Sequence, residues 1–367
     1  GRRGGLLRAF ELPDLSAVGR ESERLCCSEQ QVVLLVDYGL YLATCLTLWY
    51  SRVLMPLKLF TTFLHELGHA IAVWLTWNKV HGIEVHADQG GVTKWSTTRL
   101  RCSNHFVLPA GYLGSAAWGG AILLCSTNPS ATYAITFVLM FFLLVALGYS
   151  ICAGTGGEGD CTLPALSVGL LVVFGGLLGL CFFTDWQYRY LLLNKVLLLI
   201  GVMNTLFSTY DIWTDCVSRT VERSDAYKYA ELIGCCCSSV CTGVIWLVLS
   251  MLLAVTVLCL ALRLMPAEPE FDGTFSSFSM ASIVVPAIVF AAAVVFRLAF
   301  SRAYGGKMRV GRGLVLAGEG SDATSEDSGQ DPELEGPLRS REVLATTGHH
   351  WAGHASDSGS DSSSDGS

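Results

Sequence analysis

The stretch TTFLHELGHAIAVWLTW, residues 61–77, decides how this chain is read. It sets two histidines and a glutamate inside an apolar run long enough to cross a bilayer as a helix, which takes about 20 residues. Ionisable groups at membrane depth are costly and are usually retained for function. His65 and His69 are four positions apart, so a helix stacks them on one face. Two imidazoles so placed can hold one zinc ion (Zn2+), and Glu66 can reach a water on that ion. In this HExxH arrangement zinc acidifies the water and the glutamate takes its proton. Gly68 leaves room beside the pair for a ligand or another backbone. The bland alternative is a hydrogen-bonded trio stitching two helices together. A metal accounts for more, because it binds these groups and removes the cost of burying them unpaired.

The rest of the chain supports a membrane setting. Of 367 residues, 51% are hydrophobic and 15% charged, where a soluble domain carries about 25% charge. Apolar runs of about 20 residues recur near 31–49, 56–77, 106–126, 131–151, 164–183, 191–212, 241–262 and 281–300. The expected fold is an all-α polytopic membrane protein with about eight transmembrane helices, a small Gly-rich hairpin loop and a disordered C-terminal tail. Residues 1–30 read as a cytosolic arm without an apolar h-region or cleavage site. Residues 31–300 read as the membrane domain, and 301–367 as a basic juxtamembrane segment followed by an acidic, Ser-rich tail. Basic residues gather in the arm, in the 78–105 and 213–240 loops and after the last span. With eight spans all four fall on one side, which predicts that both termini are cytosolic. The choice between organelle and plasma membrane stays open.

Several function classes lose support. The net charge of −7 sits largely in the tail, and no basic patch interleaved with aromatics points to nucleic acid. The fourteen cysteines show no paired CxxC spacing and read as reduced. Cys26, Cys27, Cys235, Cys236, Cys237 and Cys241 cluster just outside expected spans, where palmitoylation is an alternative to simple apolar packing. Small residues Gly111, Gly114, Ala116, Ala117, Gly119 and Gly120 in the third span predict close helix packing. His349, His350 and His354 read as incidental residues of the tail.

Catalytic zinc takes three protein ligands and a water, so one ligand must come from elsewhere. Asp211 and Asp215, in "GVMNTLFSTYDIWTDC", and Asp225, in "ERSDAYKYAEL", are the candidates. For Asp215 and Asp225 the competing reading is a helix cap or a solvated charge. Asn204, upstream of Asp211, offers an amide for a peptide backbone.

HELGH in an apolar helix, "QGGVT" at 89–93, "AGYLGS" at 110–115 and "YDIWTD" with "SDA" at 210–226 resemble the site-2-protease-like (peptidase M50 B-like) membrane proteins. The resemblance covers residues 56–245. It implies His65 and His69 as zinc ligands and Glu66 as general base. Site-2 proteases bring the third ligand as the Asp of an NxxPxxxLDG motif, which Asn204 and Asp211 match in part. The proline is missing, Ile212 replaces the glycine, and the spacing is one residue shorter. Asp211 therefore leads, Asp215 follows and Asp225 trails. Gly90, Gly91, Val92 and Thr93 resemble the edge strand that pairs with an extended substrate in that group, against the plain reading of a Gly-Gly turn.

The resemblance implies an intramembrane zinc metalloendopeptidase acting on membrane-embedded protein substrates in the lipid bilayer. The alternative is an inactive protein of the same fold that binds client proteins. A metal transporter would need a polar ladder along several spans, and the sequence shows one compact site. The oligomeric state stays open.

Overall fold

The computed structural model describes residues 28–88, 90–96, 103–152, 161–184, 188–218, 221, 224–234, 238–265, 274–312 and 344–346. Its helices are α1 (Glu29–Thr47), α2 (Met55–Leu75), α3 (Asn104–Cys125), α4 (Pro129–Cys152), α5 (Thr162–Phe183), α6 (Arg189–Asp211), α7 (Asp225–Ile233), α8 (Ser239–Leu264) and α9 (Ser277–Arg312). Strands β1 (Lys79–Val85) and β2 (Gly91–Ser96) form an antiparallel hairpin between α2 and α3. A short strand β3 (Leu344–Thr346) pairs with β2 along Lys94–Ser96.

Among the described residues, six helical stretches are long and apolar enough to cross a membrane: Asn104–Cys125, Pro129–Ser150, Thr162–Phe183, Arg189–Ser218, Ser239–Leu264 and Ser277–Ala299. The protein is a multi-pass membrane protein. The expected runs at 31–49 and 56–77 also form helices, α1 and α2, of 19 and 21 residues. Those two carry Asp37, Lys58, His65, Glu66 and His69, all buried, and these polar groups lower their apolar character. Arg302, Lys307 and Arg309 lie on the continuation of α9. Residues 1–27 of the arm, with Cys26 and Cys27, as well as Cys235 to Cys237 and the tail histidines lie outside the described residues, while Glu29 and Gln30 already belong to α1. Cys241 is exposed and not in a disulfide.

Helices α3 and α6 are the most enclosed of the six, with 56% and 67% of their apolar windows buried against 22% for α8 and α9. Small residues make that position possible. A Cβ on Gly68 of α2 would strike the carbonyl of Ala110 on α3, and one on Gly114 would lie 3.2 Å from the Gly68 Cα. Gly119 of α3 and Gly201 of α6 meet in the same way, where a Cβ on either would lie 3.2 Å from the other's carbonyl oxygen. Such close crossings let dispersion forces act over the backbone surface itself. Phe60, Phe63, Leu64 and Leu67 of α2 then pack with Leu139, Leu143, Phe174, Leu193 and Leu197 from α4, α5 and α6.

Polar links tie the outer helices in. Lys195 of α6 pairs with Asp37 of α1, and Ser282 of α9 donates to the same carboxylate oxygen at 3.4 Å. Gln31 of α1 donates to the Leu262 carbonyl of α8 at 2.8 Å.

Two local features place the site. At the end of α2, Trp77 takes a left-handed φ of 59° and Asn78 N–H returns to the Val73 carbonyl at 3.0 Å, which ends the helix and starts β1. At the end of α6 the chain winds into a π-helical turn, Ile212–Ser218. The helix thus runs one stretch beyond Asp211 before the chain turns to α7.

Candidate metal centre

Helix α2 carries His65, Glu66 and His69, at 4%, 0% and 0% exposure. The two Nε2 atoms lie 3.2 Å apart. The third group is Asp225, the first residue of α7 and fully buried. Its Oδ2 is 3.2 Å from His65 Nε2 and 3.0 Å from His69 Nε2. Ser224 caps α7, its hydroxyl accepting from the Tyr227 N–H at 3.3 Å, and that cap sets the direction in which Asp225 enters.

These three atoms form a triangle with sides of 3.0–3.2 Å. Tetrahedral zinc with bonds of about 2.0–2.2 Å separates neighbouring ligand atoms by about 3.3–3.6 Å, so the triangle, slightly tighter, approximates one face of that coordination. The tautomer fits as well. His69 Nδ1 is 2.7 Å from the Val107 carbonyl of α3. Only an N–H satisfies a carbonyl, so Nδ1 carries the proton and Nε2 turns its lone pair to the cluster. The space beside the cluster is kept by Gly111 of α3, where a Cβ would fall on both Nε2 atoms. Tyr112 packs edge-on against His65 with centroids 4.8 Å apart, and Trp95 lies over His69 at 6.1 Å. The residues present therefore fit a zinc ion.

The expected order of third ligands changes. Asp211 and Asp215 lie outside the cluster that His65, His69 and Asp225 form. Because α6 continues through the π-helical turn, Asp211 stays on the helical column. Its charge there acts on Lys58, whose ammonium sits 4.8 Å above the Trp49 ring. Asp215 accepts from its neighbour Thr214 at 3.3 Å. The amide nitrogen of Asn204 donates to the Ser115 carbonyl, so that donor joins α6 to α3. Asp225 carried a weak signal in sequence, the Ser-Asp start of a helix, and nothing there fixed where that helix would lie.

Strand β2 borders the site. Its inward residues alternate, as strand geometry requires. A Cβ on Gly91 would lie 2.6 Å from Glu66 Oε1, and the Thr93 hydroxyl donates to Glu66 Oε2 at 2.6 Å. Gly90 closes the preceding turn, its carbonyl accepting from the His86 N–H at 2.8 Å. The edge of β2 opposite β1 meets β3 only along Lys94–Ser96. Along Gly91–Thr93 it has no strand partner among the described residues.

Comparison with curated proteins and with solved structures gives no match. The profile of the peptidase M50B-like family matches residues 38–261, more than half of the chain, and spans α2, the hairpin, α3 and Asp225. A buried HExxH helix completed by a distant aspartate, within that match, places the chain in the peptidase M50B-like family.

Proposed function

We propose that the protein is an intramembrane zinc endopeptidase that cuts unwound segments of membrane proteins. The observation that carries this reading is the convergence of His65, His69 and Asp225 on one point, with Glu66 buried beside them. His65, His69 and Asp225 would hold the metal. Bound zinc supplies Lewis-acid polarisation of water and of the scissile carbonyl.

The protein's own residues account for the rest. Glu66 accepts the proton of the attacking water and returns it to the leaving amine. A peptide inside a bilayer keeps its backbone bonds in a helix, so cleavage requires local unwinding. The Gly91–Thr93 edge of β2, without a strand partner among the described residues, offers backbone groups to an extended segment, which replaces the lost helical bonds by strand addition. This strand lies directly against Glu66, so a paired segment is held beside the base. The enclosing α2, α3 and α6 limit water at the site, and electrostatic interactions there are strengthened as a result.

The test is cleavage of single-span reporter proteins in cells by the wild type and by Glu66→Gln, which keeps shape and removes the base. Loss of processing at constant expression and zinc content supports the peptidase. If wild type and variant process every reporter equally, the site is not catalytic. If neither cuts while both bind zinc, a client-binding protein of the same fold replaces this reading.

A further inference from the structure

Resting on the peptidase reading, we propose that Thr93 is a positioning residue that locks the carboxylate of Glu66 in its working orientation. Glu66 and Thr93 are both fully buried. The Thr93 hydroxyl lies 2.6 Å from Glu66 Oε2 and 3.0 Å from the Glu66 carbonyl oxygen. The first distance is that of a strong hydroxyl-to-carboxylate bond, and the second gives the same hydrogen an alternative acceptor on the same residue. Hydroxyl and glutamate are thus registered to each other at two points, backbone and side chain.

The opposite oxygen is held by shape. Gly91, two residues earlier on the same face of β2, brings its backbone so close that a Cβ would lie 2.6 Å from Oε1 and 2.7 Å from Cγ. The carboxylate is therefore clamped between a hydroxyl and a bare backbone, both supplied by one strand. A glutamate side chain has three rotatable bonds, and a base is effective only when its oxygen is aligned with the proton it removes. Thr93 removes that freedom before substrate arrives. Because β2 is also the strand offered to the substrate, one element sets the base and the peptide in a common frame.

The experiment uses the full chain purified into proteoliposomes, with Thr93→Val, which keeps the shape, and Thr93→Ser, which keeps the hydroxyl. Zinc content, kcat and KM for a cleaved reporter, and melting temperature are measured for each. Thr93→Val is expected to lower kcat by about 10- to 100-fold, the scale of a small misplacement of a catalytic group. KM and zinc content stay unchanged, and Thr93→Ser recovers most of the rate. A Thr93→Val enzyme with unaltered kcat, or a loss that appears in KM alone, overturns the proposal. Failure of Thr93→Ser to recover the rate does so as well.

A second measurement needs no turnover. Thr93→Val lowers the melting temperature in the wild type and not in a Glu66→Ala background if the two side chains are coupled. Additive shifts overturn the contact itself. If no reporter is cut by the wild type while the shifts are non-additive, the peptidase reading fails and the clamp on Glu66 stands.

Discussion

Gly111→Ala places a single methyl where the candidate metal site has no room for one. The new Cβ would fall inside 3.0 Å of both His65 Nε2 and His69 Nε2, closer than real Cβ atoms approach a neighbour. Those two nitrogens stand 3.2 Å apart and would share one metal ion, so the methyl competes with the metal for the same volume. Either an imidazole rotates away or α3 retreats from α2. Loss of a group that merely orients a ligand costs about 10- to 100-fold in metal affinity. Displacing the ligand atoms costs at least the upper end, about 100-fold or about 2.7 kcal/mol. The metal-free protein suffers less. An overpacked site costs about 1–3 kcal/mol, and Ala regains up to about 1 kcal/mol over Gly within a helix. Competition of the purified protein with a chromophoric chelator reads the affinity, and thermal unfolding of the metal-free form reads the stability. Gly169→Ala on α5, where a Cβ meets nothing within 4 Å, serves as the control and keeps full affinity. A Gly111→Ala protein that binds zinc as tightly as the control would refute the assignment of this space to the metal.

Two further outcomes are expected. Asp225→Asn loses stoichiometric zinc while Asp211→Asn keeps it, measured by elemental analysis of the purified variants; the reverse pattern would restore Asp211 as the third ligand. Breaking the buried Asp37–Lys195 pair with Lys195→Met destabilises the protein by about 3–5 kcal/mol, because one charge is left buried. Replacing both residues by apolar ones recovers most of that loss in thermal unfolding, and equal loss in the single and double variants would show that the pair is not what holds α1 to α6.

Much of this was legible in the sequence because it depends on local spacing. The i, i+4 histidines lie on one face of any helix, and the glycine-rich character of residues 110–120 announced a tightly approached helix, seen at Gly68–Ala110 and Gly119–Gly201. The place of Asp225 beside the two histidines was less legible: in sequence it stands behind Asp211 and Asp215 as a candidate ligand. That place depends on seven residues of π-helical turn and on the cap at Ser224, neither of which residue spacing reveals. Thr93 reads in sequence only as part of a substrate-pairing edge, and the inward turn of its side chain to Glu66 adds to that reading. Alternation along a strand is visible in sequence, but which face meets the site depends on how α2 ends at Trp77.

The separation of the ligands along the chain also sets an order of assembly. The imidazoles, Glu66, Thr93, Val107 and Gly111 come from one continuous stretch, while Asp225 follows His65 by 160 positions. At translation rates of about 5–20 residues per second, roughly 8–32 s separate the emergence of the first ligand from that of the last. During that interval the nascent protein holds Glu66 and two imidazoles but lacks the carboxylate that would complete the proposed metal site. On the proposed reading, an enzyme that sits among other newly inserted membrane chains is thereby born inert, and would gain the means to cut only when α6 and the turn beyond it have been made.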